Sequence, residues 1–481
     1  MGDPAGDSSI RPTQLAIPVL GLGATFGALG DILFNRAGIG LNAALWVNAL
    51  ALAAWLVHRR TRRAPAGLPA LLALGGFFAV CLAWRASPFL RAWDIVAIAA
   101  VATTIAVHLR GALPWARLTD YARGALDLAG AAIAGPVHAL REAPWPAAGA
   151  KPSRTPAVVI GAVLAVPVVL VFGSLLAAAD PAMDALVRVL IDWDLEAVLE
   201  HSAILGVTGW LAAAGLRHIG VTPTRPTILA NGRMPTLGAI ELGIPLGALA
   251  LLLAIFIGVQ TRYLFGGEAF VRLTGITYAA FARRGFFELV TVCGLALPLL
   301  VVAQQLVDRA ARRSVESFRA LAPTLALLMG LVMASALARM RLYMTMYGLT
   351  EDRFYATAFM LWLAAVLVWF VVTELRGRLD QFATGAVAAG FLLLAALNAV
   401  NPDAVIARAN VARARAGMEL DVSYLSRLST DAVPALRAAA SPDTAPRHAA
   451  EAILARPRDT DWRAWTWSAW RATRTPPTAQ P

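Results

Sequence analysis

Apolar residues recur along this chain in long runs, without the polar interruptions of a half-buried helix or the alternation of a half-buried strand. A helix crosses the hydrocarbon layer of a bilayer in about 20 apolar residues. Eleven runs reach or approach that length, near residues 15–34, 39–57, 67–84, 93–109, 156–178, 202–217, 237–259, 285–307, 322–343, 354–374 and 382–400. The third and sixth are short. Asn35 to Gly38 alone separates the first two, which predicts a tight hairpin.

The runs divide the chain. A polar N-terminal tail covers 1–14, and four spans fill 15–116. Residues 117–155 hold an amphipathic stretch and a linker; polar and apolar positions in 117–141 alternate at helical spacing, as on a helix at the inner membrane surface. Seven spans follow in 156–400. Among them, 181–200 opens with Pro181 after Asp180 and carries Asp184, Asp192, Asp194, Glu196 and Glu200 against Arg188. This predicts an acidic outer helix. Residues 401–481 contain no span; helix starts at Asn401-Pro402, Ser441-Pro442 and Thr460-Asp461 predict a small helical domain. The fold class is all-α, a polytopic integral membrane protein.

Composition sharpens this. Of 481 residues, 58% are hydrophobic and 15% charged, against about 45–50% and about 25% in soluble domains. Soluble, disordered and fibrous classes are excluded. The net charge is +12, and Lys151 is the one lysine. Arginine in place of lysine, with abundant alanine, fits a GC-rich bacterial genome. With the N-terminus inside, cytoplasmic segments hold 20 basic residues and outer loops 11. That asymmetry predicts an N-inside, C-outside membrane protein. The N-terminus is acidic before the first run and lacks the positive region of a signal peptide, so 15–34 is expected as an uncleaved span. No basic stripe interleaves with stacking aromatics, which argues against a nucleic-acid partner. Cys81 and Cys293 lie inside apolar runs and are expected as buried thiols, without a disulfide or metal site.

A charge at the bilayer centre costs at least about 2.5–3.5 kcal/mol and is usually kept for function. The centres of the seventh to eleventh runs, and of the third and fifth, hold no Asp, Glu, Lys, Arg or His. This weighs against a proton relay or ion-coupled transporter. Polar residues gather instead at the outer span ends: Arg262, Tyr263, Arg283, Arg284, Glu288, Arg339, Arg341, Tyr343, Tyr347 and Glu351. Arg339, Tyr343 and Tyr347 fall at i, i+4 and i+8 on one helical stripe. Two readings stand: an aromatic belt with snorkelling arginines, or an organised site for phosphate or carboxylate facing the acidic helix. The six histidines are scattered, with no metal-ligand spacing, and no cofactor motif appears. The glycines of GLGATFGALG at 21–30 suit close helix packing. Trp462, Trp465, Trp467 and Trp470 make the tail end either interfacial or part of the small domain's core.

The phrases TRYLFGG, TYAAFARRGFFELV, RMRLYMTMYGLTEDRFYA and NPDAVIARANVARA, in this order, resemble a bacterial family of multi-pass membrane proteins known only as a domain of unknown function, of the 4153/4173 type. LLAAADP at 175–181 fits as well, and the resemblance runs from about 150 to 430. It implies the cytoplasmic membrane and about this span count, and brings no substrate, cofactor or catalytic residue. The functional expectation is a non-enzymatic envelope protein. It would bind an anionic lipid or envelope component at its outer face and offer the C-terminal domain to a protein partner. The alternatives are a transferase acting on a lipid-linked substrate, with Asp31 as base, and a transporter or flippase. The very short loop after Asp31 favours a capping role for that carboxylate.

Overall fold

A computed structural model describes residues 12–61, 67–144, 195–220, 236–265, 286–308, 310–440 and 444–475. Within them the chain is helical, with no strand beyond an isolated bridge between Leu237 and Val307. Among the described residues eight helices are long and apolar enough to cross a membrane, so this is a multi-pass membrane protein. Of the eleven expected runs, eight overlap these helices and three do not. One is the 17-residue apolar helix Leu68–Trp84. Another, 202–217, lies within Leu195–Gly220, and 156–178 lies outside the described residues.

The helices form two compact units. The first contains α1 (Pro12–Phe34), α2 (Leu41–Thr61), α3 (Leu68–Trp84), α4 (Pro88–Leu109), α5 (Leu118–Glu142) and α6 (Leu195–Gly220), with residues 457–470 of the tail. Its organising contact is antiparallel packing of α1 on α6 along their length. Leu15 and Val19 share a core with Ala213 and Leu216. The glycines of 21–30 allow the close approach expected of them. A Cβ on Gly23 would lie 2.8 Å from that of Ala213, and one on Gly27 2.7 Å from the Leu205 carbonyl oxygen. One on Gly209 would lie 2.8 Å from the Gly23 oxygen. Small residues are what let membrane helices approach this closely.

The start of one helix in this unit departs from expectation. Helix α4 starts at Pro88, not near 93, because Ser87-Pro88 supplies an extended cap and a proline at the first helical position. Asp94 therefore lies inside the helix, fully buried. Of the acidic helix expected at 181–200, residues 181–194 lie outside the described residues. Residues 195–200 begin α6 and run into the expected span without a break. The amphipathic stretch at 117–141 is helical as α5, and it packs against α1, α4 and α6. Glu142 pairs with Arg217 at 2.6 Å, Asp127 pairs with Arg110, and the Trp210 indole N–H donates to the Ala132 carbonyl at 2.6 Å. Leu126 and Ile133 stay exposed on its other side.

The second unit contains α7 (Ala239–Phe265), α8 (Phe286–Leu306), α9 (Arg312–Tyr347), α10 (Glu351–Leu375) and α11 (Phe382–Val400). A small domain follows, built from α12 (Pro402–Arg415), α13 (Val422–Leu425), α14 (Val433–Ala438) and α15 (Ala445–Ala455); α16 (Trp467–Arg474) ends the described chain. Leu246, Leu300, Leu325, Met329, Met360 and Phe370 form the core of the long helices. Ile406, Leu425, Val433, Leu436 and Ile453 form a separate core for the small domain. Asn401 caps α12 as the Asn-Pro pair predicted: its side chain accepts from the Ala404 N–H at 3.2 Å, and Pro402 takes the first helical position. Cys81 and Cys293 are buried free thiols. Large apolar side chains such as Leu295, Val368 and Leu392 remain exposed along the long helices, as lipid-facing positions require.

Candidate functional site

The last carbonyls of a helix have no partner within it, and α9 ends in the second unit with this need met from two other helices. Its chain leaves through Gly348 at φ +79°, where a Cβ would lie 2.4 Å from the Asn410 side-chain oxygen. Arg413 of α12 donates to the Met346 carbonyl at 2.9 Å. Arg353, in the first turn of α10, donates to the carbonyls of Tyr347 at 3.0 Å and Gly348 at 2.5 Å. Its guanidinium also covers the Tyr343 ring at 4.1 Å, and Tyr343 lies against Tyr347 with centroids 5.2 Å apart.

The small domain closes on the same turn. The Asn410 amide donates to the Leu349 carbonyl at 2.7 Å and accepts from the Leu349 N–H at 3.1 Å. The Glu351 N–H donates to the Tyr424 hydroxyl at 2.7 Å. Burial holds that phenol above its usual range. Leu349 and Phe354 pack onto the small domain's core. Asp403 is fully buried and accepts from the Ser429 N–H at 3.0 Å.

Of the ten residues singled out in the sequence, Tyr343, Tyr347 and Glu351 meet at this turn. Arg339 is half-buried on α9, on the same stripe as the two tyrosines, and Arg341 is exposed. The cation on the tyrosine pair comes from Arg353, one turn into the next helix. Arg262, Tyr263 and Glu288 fall on α7 and α8, but their side chains lie outside the described set, as do Arg283 and Arg284 entirely. The sequence reading did not single out Asn410, Arg413 or Tyr424. The first two sit inside the phrase NPDAVIARANVARA, whose Asn-x-x-Arg spacing puts both on one helical face.

A second cluster lies in the first unit, where α1 ends and α6 begins. Both carboxylate oxygens of Asp31 lie 2.8 Å from Nδ1 of His201, and the Asn35 amide lies 3.0 Å from that nitrogen. Arg36 pairs with Glu200 at 2.9 Å. The tail segment 459–465 is tied to the same hairpin. Asp459 accepts from the Gly38 N–H at 2.8 Å, Arg463 donates to the Ile32 carbonyl at 2.7 Å, and Leu41 N–H donates to the Trp465 carbonyl at 3.0 Å. Asp461 caps the short turn Trp462–Ala464 and pairs with Arg463 at 2.5 Å. The Arg463 side chain, then its N–H, holds the Asp461 carboxyl below its usual range; N–H bonds from Gly38 and Asp461 do the same for Asp459. Nothing in the sequence pointed to His201 as the partner of Asp31, because 170 residues separate them. Among the described residues no group of His, Cys, Asp and Glu could hold a metal ion.

A family model described as a domain of unknown function, DUF4153, matches residues 70–439. The chain belongs to the DUF4153 family. The match begins nearer the N-terminus than the 150–430 stretch carrying the sequence resemblance. It includes α9, α10, α12 and α13, and so the whole turn that Asn410, Arg413 and Tyr424 engage. Asp31 and the 459–465 segment lie beyond it. No curated protein and no solved structure matches this DUF4153 chain.

Proposed function

We propose that this DUF4153 protein is a non-enzymatic binding or scaffolding protein of the bacterial cytoplasmic membrane, with its N-terminus inside. The small helical domain is its working part, held at the outer face. One observation carries the reading. The arginine, tyrosine and amide groups at the α9–α10 turn are spent on main-chain carbonyls and N–H groups that fix this domain, rather than left converging on a space for substrate. Arg353 alone serves two carbonyls and a tyrosine ring. A domain joined to spans by a partly buried seam of several hydrogen bonds keeps its pose, as presentation to a protein partner in the envelope requires.

The experiment is complementation of a strain lacking the gene. Asn410→Ala with Tyr424→Phe frees the domain while leaving every span residue in place. Scaffolding predicts loss of function at normal membrane abundance. The second reading, a transferase on a lipid-linked substrate, draws support from the Asp31–His201 contact. A carboxylate on Nδ1 orients an imidazole as a base. Under it, Asp31→Asn and His201→Ala abolish function while the freed-domain variant retains it. Scaffolding predicts the reverse in both.

A further inference from the structure

The tail segment 459–467 is fixed at a known depth relative to two spanning helices. Its three ties go to Ile32 in the last turn of α1, to Gly38 in the hairpin, and to Leu41 at the start of α2. These are the places where two spans leave the hydrocarbon, so the segment lies level with lipid headgroups. Gly40 is required for the approach: a Cβ there would lie 2.5 Å from the Ala464 carbonyl oxygen.

At that level the segment turns three tryptophans outward. Trp462 is 59% exposed, Trp465 37% and Trp467 40%. Exposed Ile32 of α1 lines the same hollow as Trp462, so the aromatic rim meets the exposed apolar surface of α1. An indole has an apolar body and one N–H donor, and its preferred place is the boundary between headgroups and acyl chains. Charge does not choose the partner. Arg463 is taken up by Asp461 and the Ile32 carbonyl, and Asp459 by the Gly38 N–H. This differs from a polybasic anchor, which reads anionic lipid.

We propose that Trp462, Trp465 and Trp467 form an interfacial anchor that docks the C-terminal tail on phospholipid, in the leaflet reached by the ends of α1 and α2. Zwitterionic phosphatidylcholine suffices for it.

The test uses the full chain in phosphatidylcholine vesicles brominated either near the headgroup or near the chain end. The emission of wild type minus that of the W462F/W465F/W467F variant isolates the three indoles. The expected difference emission is blue-shifted, loses at least half its intensity to the shallow bromines, and resists aqueous iodide. Quenching by iodide and not by bromines would overturn the proposal by placing the indoles in water. Resistance to both would overturn it by placing them under protein. Should the triple variant fail to fold, Trp462→Cys carrying a nitroxide gives the same answer, since Cys81 and Cys293 are buried. Greater collision with oxygen than with an aqueous nickel chelate is expected, and the opposite ratio refutes the anchor.

Discussion

Substituting Gly27 by alanine tests the contact that assembles the first unit. The added Cβ would lie 2.7 Å from the Leu205 carbonyl oxygen, where ordinary contact begins at 3.4 Å. The obstacle is backbone, so α1 and α6 must part by about 0.7 Å, the difference between those two distances. Overpacking of this kind costs about 1–3 kcal/mol. A loss of about 2 kcal/mol lowers the folding constant roughly 30-fold. The same parting, carried one turn along, stretches the Asp31–His201 contact from 2.8 Å to about 3.5 Å, the limit of a hydrogen bond. Gly21→Ala is the control on the same helix, because a Cβ there meets nothing within 4 Å. Unfolding equilibria in mixed micelles should show Gly27→Ala weaker by about 2 kcal/mol and Gly21→Ala no weaker than wild type, given alanine's higher helix propensity. Equal stabilities for the two variants would refute the close-packing account of α1 on α6.

Other perturbations report on the second unit and the tail. Gly348→Ala combines a left-handed φ of +79° with a Cβ 2.4 Å from Asn410, and should cost upwards of about 2 kcal/mol. Gly377→Ala, at φ +63° with open space around it, should cost about 1 kcal/mol; protease sensitivity of the small domain ranks the two. The tail's hold on the α1–α2 hairpin should depend on pH in a defined direction. Asp459 titrates below the ordinary 3.8 when docked, because its carboxylate accepts from the Gly38 N–H. Its contribution is therefore present above about pH 4 and lost as pH falls through the docked value. A nitroxide at position 462 should keep its mobility from pH 7 to about 4 and loosen below that; loosening between pH 7 and 5 would contradict the assignment. Arg217→Ala leaves Glu142 without its bidentate partner at the end of α5, and should destabilise the first unit by about 1–3 kcal/mol, read by the same micelle equilibria.

The membrane fold was legible because its signal is local: an apolar run of the right length needs no knowledge of its neighbours. The 382–400 run is α11 residue for residue, and the Asn401-Pro402 start is a cap in the structure. The limits of α4 and α9 were less legible, since α4 starts early at the Ser87-Pro88 cap and a polar first turn extends α9 beyond its apolar stretch. The glycines of 21–30 announced a close contact without naming the partner, which a single chain pattern cannot do. Long-range chemistry was hidden for the same reason. Asp31 and His201, Arg353 and Tyr343, and Asn410 and Leu349 meet only through packing. Tyr343, Tyr347 and Glu351, singled out in the sequence, do fall together at the α9–α10 turn. The sequence could not show that their neighbours are main-chain groups of a docked domain.

The central claim is that the α9–α10 turn holds the C-terminal domain. Amide hydrogen exchange of the full chain in lipid nanodiscs tests it at two sites, the Leu349 N–H bound to Asn410 and the Glu351 N–H bound to Tyr424. The account predicts that both are protected in the wild type and that Asn410→Ala with Tyr424→Phe accelerates their exchange at least tenfold, with the span interiors unchanged. Fast exchange of both amides in the wild type, or equal protection in the double variant, would contradict it.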